Sequence, residues 1–260
     1  MKSRSKLISL HWLLSAQFGI DPVKMFRAIQ AMPRYIAALI IYRSSFTKPF
    51  ELVPCLHDWH EEGGATTNEY FWQDLLIARK IFAARPKKHV DIGSRVDGFV
   101  AHVASFREIE VIDIRPITTN ILGIIFKKAN LMNPAEEMTD YCDSLSCLHA
   151  LEHFGLGRYG DPIDPKGYEA GICNMAKILR KEGTFYLSVP VGTERVEFNV
   201  QDVFNPRTIM EVAKSNRLQL REFAVFTPVS GWVDVGILPG ALESAGEQRY
   251  GLGNFTFVKI

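Results

Sequence analysis

His89-Val-Asp-Ile-Gly-Ser-Arg-Val-Asp-Gly98 reads as a strand running into a glycine turn and the start of a helix. A short apolar run carries Asp91 near its end, glycines follow at 93 and 98, and a helical pattern opens at Phe99. Gly93 permits a tight turn and lets the backbone approach a ligand with no Cβ in the way. Loop amides and a helix N-terminus favour an anionic group at such a turn. Asp113 closes the next apolar run, 22 residues after Asp91, where a carboxylate can accept two neighbouring hydroxyls.

The pattern continues outward on both sides. Strands are predicted at 89–92, 110–114, 144–148 and 184–189, with a helix at 168–179 and late β runs at 218–226 and 254–260. Strands separated by helices imply a parallel sheet covered on both faces, and the last pair, with no helix between, implies an antiparallel edge. Upstream, Thr67 is placed to cap a helix over 68–84, which Pro86 stops. Residues 51–67 read as a polar loop, and residues 1–50 as helices broken at Pro22 and Pro33. The expected organisation is a helical N-terminal cap over 1–85 and an α/β core over 86–260.

Composition bounds the function. The chain has 260 residues, 30 Lys+Arg against 29 Asp+Glu and 47% hydrophobic content, which gives a core of one large α/β domain and excludes a disordered chain. A net charge of +1 argues against a nucleic-acid partner. The four cysteines form no C-x-x-C pair, so a reduced, cytoplasmic setting is expected. Lys2, Arg4 and Lys6 precede an apolar run too short and too interrupted to span a bilayer; it reads as a capping helix, with contact to a membrane surface as the alternative.

Strand, glycine turn, helix, strand and terminal acid suit either a nicotinamide dinucleotide or S-adenosylmethionine (SAM). The dinucleotide fingerprint needs a middle glycine where this chain has Arg95, whose bulk crowds a pyrophosphate; SAM has none. Asp143-Ser-Leu-Ser-Cys-Leu-His-Ala-Leu-Glu-His153, followed by Leu179-Arg-Lys-Glu-Gly-Thr-Phe-Tyr-Leu-Ser-Val-Pro190, resembles the fourth strand and following hairpin of class I SAM-dependent methyltransferases. The resemblance covers about residues 86–260. A narrower one lies in Pro54-Cys-Leu-His-Asp58, His89-Val-Asp-Ile-Gly-Ser94 and the run from Ser146 to Pro165 (SCLHALEHFGLGRYGDPIDP), which looks like the family catalogued as domain of unknown function 268. Members of that family are often found near surface-polysaccharide genes.

The resemblance implies a Rossmann-like methyltransferase fold: a mostly parallel, seven-stranded sheet with an antiparallel edge strand. It assigns Asp91, Gly93, Ser94 and Gly98 to the loop around the methionine part of SAM. Asp113 corresponds to the ribose-binding acid, Ile114 to the adenine contact and Asn130-Leu131 to the adenine pocket, with His149 beside the loop. Arg95 and Asp97 stand where related enzymes carry smaller residues. The implied acceptor is a hydroxyl of a sugar or glycan precursor, which needs a general base. His153, just past the strand at 144–148, and Asp161 are the candidates. Arg158, Tyr159 and Asp164 in the Gly/Pro-rich loop, with His57 and Asp58 upstream, are expected to contact the acceptor.

Two further groupings are set aside. His149-Ala-Leu-Glu-His153 matches H-x-x-E-H, but it leaves a strand and meets Gly155 and Gly157, not a sustained helix. Cys55-Leu-His-Asp-Trp-His-Glu-Glu62 gathers potential ligands without a second ligand pair, so no metal is expected. The remaining readings are a SAM-fold binding or scaffold protein without catalysis, and a nicotinamide-dependent oxidoreductase.

Overall fold

A computed structural model describes residues 10–45, 50–59, 61–64, 66–133, 138–237 and 239–260. The chain divides into two compact units, Met1–Ala65 and Thr66–Ile260. Lys2, Arg4, Lys6 and His60 lie outside the described residues.

In the first unit a π-helical turn, Leu13–Gln17, precedes the helix α1, Pro22–Ser45. Asp21 caps α1 by accepting from the Val23 and Lys24 amides at 2.9 and 3.1 Å. Pro22 occupies the first turn, where its missing N–H costs nothing. Pro33 is expected to break the chain, yet α1 runs through it and continues to Ser45. Residues 50–59 and 61–64 carry no regular structure.

The second unit holds α2 (Glu69–Ala84), β1 (His89–Ile92), a π-turn at Val96–Val100 leading into α3 (Ala101–Ala104), β2 (Ile109–Asp113), β3 (Ile124–Lys128) and β4 (Cys142–Leu148). It continues with α4 (Gly167–Ile178), β5 (Leu179–Val191), the small ladder of β6 (Arg195–Glu197) and β7 (Gln201–Val203), and α5 (Pro206–Ser215). The last elements are β8 (Leu218–Thr227), β9 (Gly231–Asp234), α6 (Pro239–Glu247) and β10 (Gly251–Lys259). Asn68, not Thr67, caps α2 by accepting from the Phe71 amide at 2.9 Å.

Among the described residues the main sheet has eight strands, in the order β3-β2-β1-β4-β5-β10-β8-β9, rather than the expected seven. β1 to β5 are parallel neighbours; β10 enters antiparallel between β5 and β8. The antiparallel strand expected at the edge therefore lies inside the sheet, and β9 forms the edge by folding back antiparallel on β8. β3 has no counterpart in the sequence reading, because its Ile-Ile-Phe-Lys-Lys is only half-buried and ends in two lysines.

The two faces carry separate cores. Ile77, Ala78 and Ile81 of α2 meet Phe99, Val103, Ile109 and Val111 on one side, while Ile172 and Met175 of α4 meet Val90, Leu145 and Phe185 on the other. The sequence reading assigned α2 to the cap over 1–85; the structure packs it on the sheet because that apolar stripe is buried there.

Candidate functional site

The site begins with polar residues that the strand period places side by side. His89 and Asp91 are two apart on β1, and the register sets them against Ser144 and Ser146 of β4. His89 bonds Ser144 Oγ through Nδ1 at 2.8 Å and Ser146 Oγ through Nε2 at 3.2 Å. Asp91 accepts from the Ser146 hydroxyl at 2.5 Å and from the Ser94 hydroxyl and amide at 2.7 and 3.0 Å. The Ser94 hydroxyl also accepts from the Leu148 amide at 3.2 Å, tying the turn to β4. Burial pushes the Asp91 carboxyl up to about 7, against the pull of these donors, and holds His89 neutral at about 3. Asp91 and Ser94 thus shape the turn from beneath and are themselves buried.

Two glycines set the form of the turn. Gly93 sits at φ 71°, and a Cβ there would lie 2.9 Å from Ala150 Cβ. At Gly98 a Cβ would lie 2.4 Å from Asp74 Oδ2, so the backbone passes directly over a buried carboxylate of α2. Gln73 Nε2 donates to Asp74 Oδ1 at 2.9 Å, and the Ser188 hydroxyl of β5 donates to Gln73. Arg95 turns outward and forms a two-pronged pair with Asp97 at 3.0 and 2.6 Å.

Asp113, at the carboxyl end of β2, faces the same edge, and Arg115 grips it. Nε donates to Oδ1 at 3.0 Å and Nη2 to Oδ2 at 2.6 Å, while Nη2 also reaches the Gly93 carbonyl at 3.1 Å. The Arg115 guanidinium lies 4.6 Å from the centre of the Tyr159 ring. Ile114 follows, half-buried; Asn130 accepts from the Met132 amide at 2.9 Å, and Leu131 is buried.

The end of β4 carries the densest charge. His149 adopts φ 53° and is buried, with Nδ1 at 2.7 Å from Glu152 Oε1 and Nε2 at 3.3 Å from Glu69 Oε1. Burial lowers its basicity, but the two carboxylates outweigh that and raise it to about 9, so the ring is cationic at neutral pH. Tyr70 stacks on it at 4.6 Å, and the Tyr250 hydroxyl donates to Glu69 at 2.8 Å. His149 and His153 do not share a helix: a 3-10 turn, Leu151–His153, follows the strand.

His153 differs from His149. Burial holds it below the usual histidine range, hence neutral, and its Nδ1 has no hydrogen-bond partner among the described residues. Tyr159 meets its ring edge-on at 5.5 Å. Asp161, the other expected base, is engaged by backbone: it accepts from the Gly155, Gly157 and Tyr159 amides at 2.9, 3.1 and 3.1 Å. Asp164 accepts from the Lys166 amide at 2.9 Å, and Arg158 donates to the Val200 carbonyl at 2.8 Å.

The structure therefore gathers Gly93, Asp113, Tyr159 and His153 through a chain of contacts centred on Arg115. His57 and Asp58 belong to the first unit, where Asp58 accepts from the Cys55 thiol at 3.0 Å. Sequence reasoning does not single out Glu69, Arg115, Glu152 or Tyr250. Arg115, two residues past Asp113, and Glu152, inside the quoted Leu-Glu-His run, were visible there; the approach of Glu69 and Tyr250 had no local signal.

Residues 102–213 match the family model described as Caenorhabditis protein of unknown function, DUF268. The match contains the run from Ser146 to Pro165, while Pro54–Asp58 and His89–Ser94 lie outside it. No protein with a curated description matches the chain. Among solved structures, it is similar to the Burkholderia thailandensis 1,6-didemethyltoxoflavin-N1-methyltransferase, with TM-score 0.50, 12% identity and coverage of 73% of this chain and 79% of that one. It is also similar to the Haemonchus contortus phosphoethanolamine N-methyltransferase 2, with TM-score 0.52, 12% identity and coverage of 78% of this chain and 56% of that one. Both were solved with S-adenosylhomocysteine. The chain therefore shares the Rossmann-like α/β fold of these methyltransferases.

Proposed function

We propose that this protein is a SAM-dependent methyltransferase acting on a hydroxyl of a sugar or glycan precursor. One observation carries the reading: the Gly93 turn and the Asp113 carboxylate stand together at the carboxyl edge of the parallel strands, where open α/β sheets bind ligands. The donor set suits the cofactor, since a carboxylate beside a glycine turn matches a ribose diol. The hydroxyl-type acceptor rests on the sequence resemblance.

Bound SAM supplies an electrophilic methyl group on a sulfonium. This chain's part is binding, orientation and removal of one proton. Asp113 would hold the ribose hydroxyls, which requires the half-exposed Arg115 to turn toward solvent. Tyr159 and Arg158 would border the acceptor. His153 would take the hydroxyl proton at Nδ1, which is buried with no hydrogen-bond partner among the described residues and must be uncovered to meet the acceptor; the ring is neutral at physiological pH. Asp161 would act by fixing the Tyr159 loop, not as a base.

The test has two arms. Titration with S-adenosylhomocysteine should show saturable binding that is lost in Asp113→Asn, with NAD as the control. Transfer of labelled methyl to sugar acceptors should then fall about 10²- to 10⁴-fold in His153→Gln at unchanged S-adenosylhomocysteine affinity. Absence of binding to the parent chain overturns the cofactor; a fully active His153→Gln overturns the base.

A further inference from the structure

The helix α1 has features that neither the methyltransferase fold nor its site uses. It runs 24 residues, about 36 Å, and contains no buried residue. Met25, Ile29, Met32, Ile36 and Ile40 recur at spacings of four, three, four and four, which puts them on one side as a continuous stripe. All five are exposed, Ile29 to 69% and Ile40 to 65%. Arg27 and Arg34 lie on the other side of the helix, Lys24 lies on its flank, and Arg43 stands at its C-terminal end. The segment Pro22–Ser45 holds these four cations and not one Asp or Glu.

We propose that α1 seats on an anionic lipid surface, lying in the plane of the interface with the apolar stripe toward the acyl chains. Charge selects this occupant. An all-cationic helix complements anionic headgroups: Lys24 on the flank and Arg43 at the end of the stripe can reach them directly, while Arg27 and Arg34 act across the helix over about a Debye length. A second copy of α1 would instead bring four more cations to the same contact. Spanning the bilayer is not an option for it: no helix among the described residues is long and apolar enough. The stripe and the cations thus describe a helix that lies on a membrane.

The experiment uses the full chain and two vesicle types, phosphatidylcholine alone and equimolar phosphatidylcholine with phosphatidylglycerol. Co-sedimentation is expected with the anionic vesicles only, and it should weaken as salt is raised. Replacing Lys24, Arg27 and Arg43 together by Gln should weaken binding on the order of 100-fold, at roughly fivefold for each cation. Ile29→Gln, Ile36→Gln and Ile40→Gln combined should abolish it. Far-ultraviolet circular dichroism and the thermal transition of each variant should match the parent, which separates lost binding from lost folding. Equal pelleting with neutral vesicles, or undiminished binding by the folded variants, overturns the proposal. So does a lipid-free dimer that the isoleucine variants dissolve, because the stripe would then belong to a second copy.

Discussion

Raising the pH should unload a specific part of this protein's stability, the part held by His149. Its ring is buried between Glu152 at 2.7 Å and Glu69 at 3.3 Å, and those carboxylates lift it from 6.5 to about 9. A base whose folded value lies above its unfolded value stabilises fully below the unfolded value and loses that contribution as pH climbs through the folded one. The shift corresponds to about 3 kcal/mol, of which about 2 kcal/mol disappears between roughly pH 7.5 and 9.5. Asp91, raised to about 7, and Asp202, raised to about 6, have mostly finished titrating by the start of that window, and His89 and His153 are neutral throughout it. Thiols of the unfolded chain also titrate in that window, so a difference measurement is needed. Urea unfolding of the parent and of His149→Asn, a side chain that tolerates the positive φ at this position, should be compared at both ends of the window. The gap between the two proteins should narrow by about 2 kcal/mol, equivalent to about 4–8 °C in Tm for a domain of this size. Parallel stability curves would refute a cationic His149 and leave the stacking on Tyr70 as its only role.

Other substitutions probe the turn and the loop. Arg115→Ala should tighten S-adenosylhomocysteine binding about fivefold, because it frees Asp113 from a half-exposed ion pair worth about 1 kcal/mol; unchanged or weaker binding in the same titration would count against Arg115 as a competitor for that carboxylate. Gly155→Ala should cost about 3 kcal/mol in chemical unfolding, since φ is 85° and the new Cβ would lie 1.9 Å from the Asp164 carbonyl oxygen. Asp161→Asn should lower stability by about 2 kcal/mol and raise acceptor KM more than it lowers kcat, as three backbone donors lose their carboxylate; a collapse of kcat alone would make Asp161 a base after all.

Much of this was legible because short-range pattern carries it. The apolar run ending in Asp91 and the two following glycines predict a strand and a turn, and both are there. The helix expected at 168–179 forms as Gly167–Ile178, since a stripe with period 3.6 needs no partner to be recognised. β3 escaped because a half-buried strand ending in lysines has a weak alternation signal, and β9 because four residues after a turn carry almost none. At the site, Asp161 looked like a free acid in a polar loop, but three amides converge on it once Gly155 and Gly157 bend the chain back.

Local pattern along the chain specifies the α/β frame, the glycine turn between β1 and the following helix, and the acid at the end of β2. These depend on residue spacing along a strand or a helix, which backbone geometry dictates locally. Packing of the elements governs which charges meet. Tyr250 reaches Glu69 across 181 positions, and Glu69 reaches His149 only because α2 packs on the sheet and β10 inserts beside β5. Whether His149 is a cation, His153 a neutral base or Asp113 clamped by Arg115 follows from burial and neighbours within a few ångströms. Those are set by strand order and packing, and pattern along the chain does not encode them.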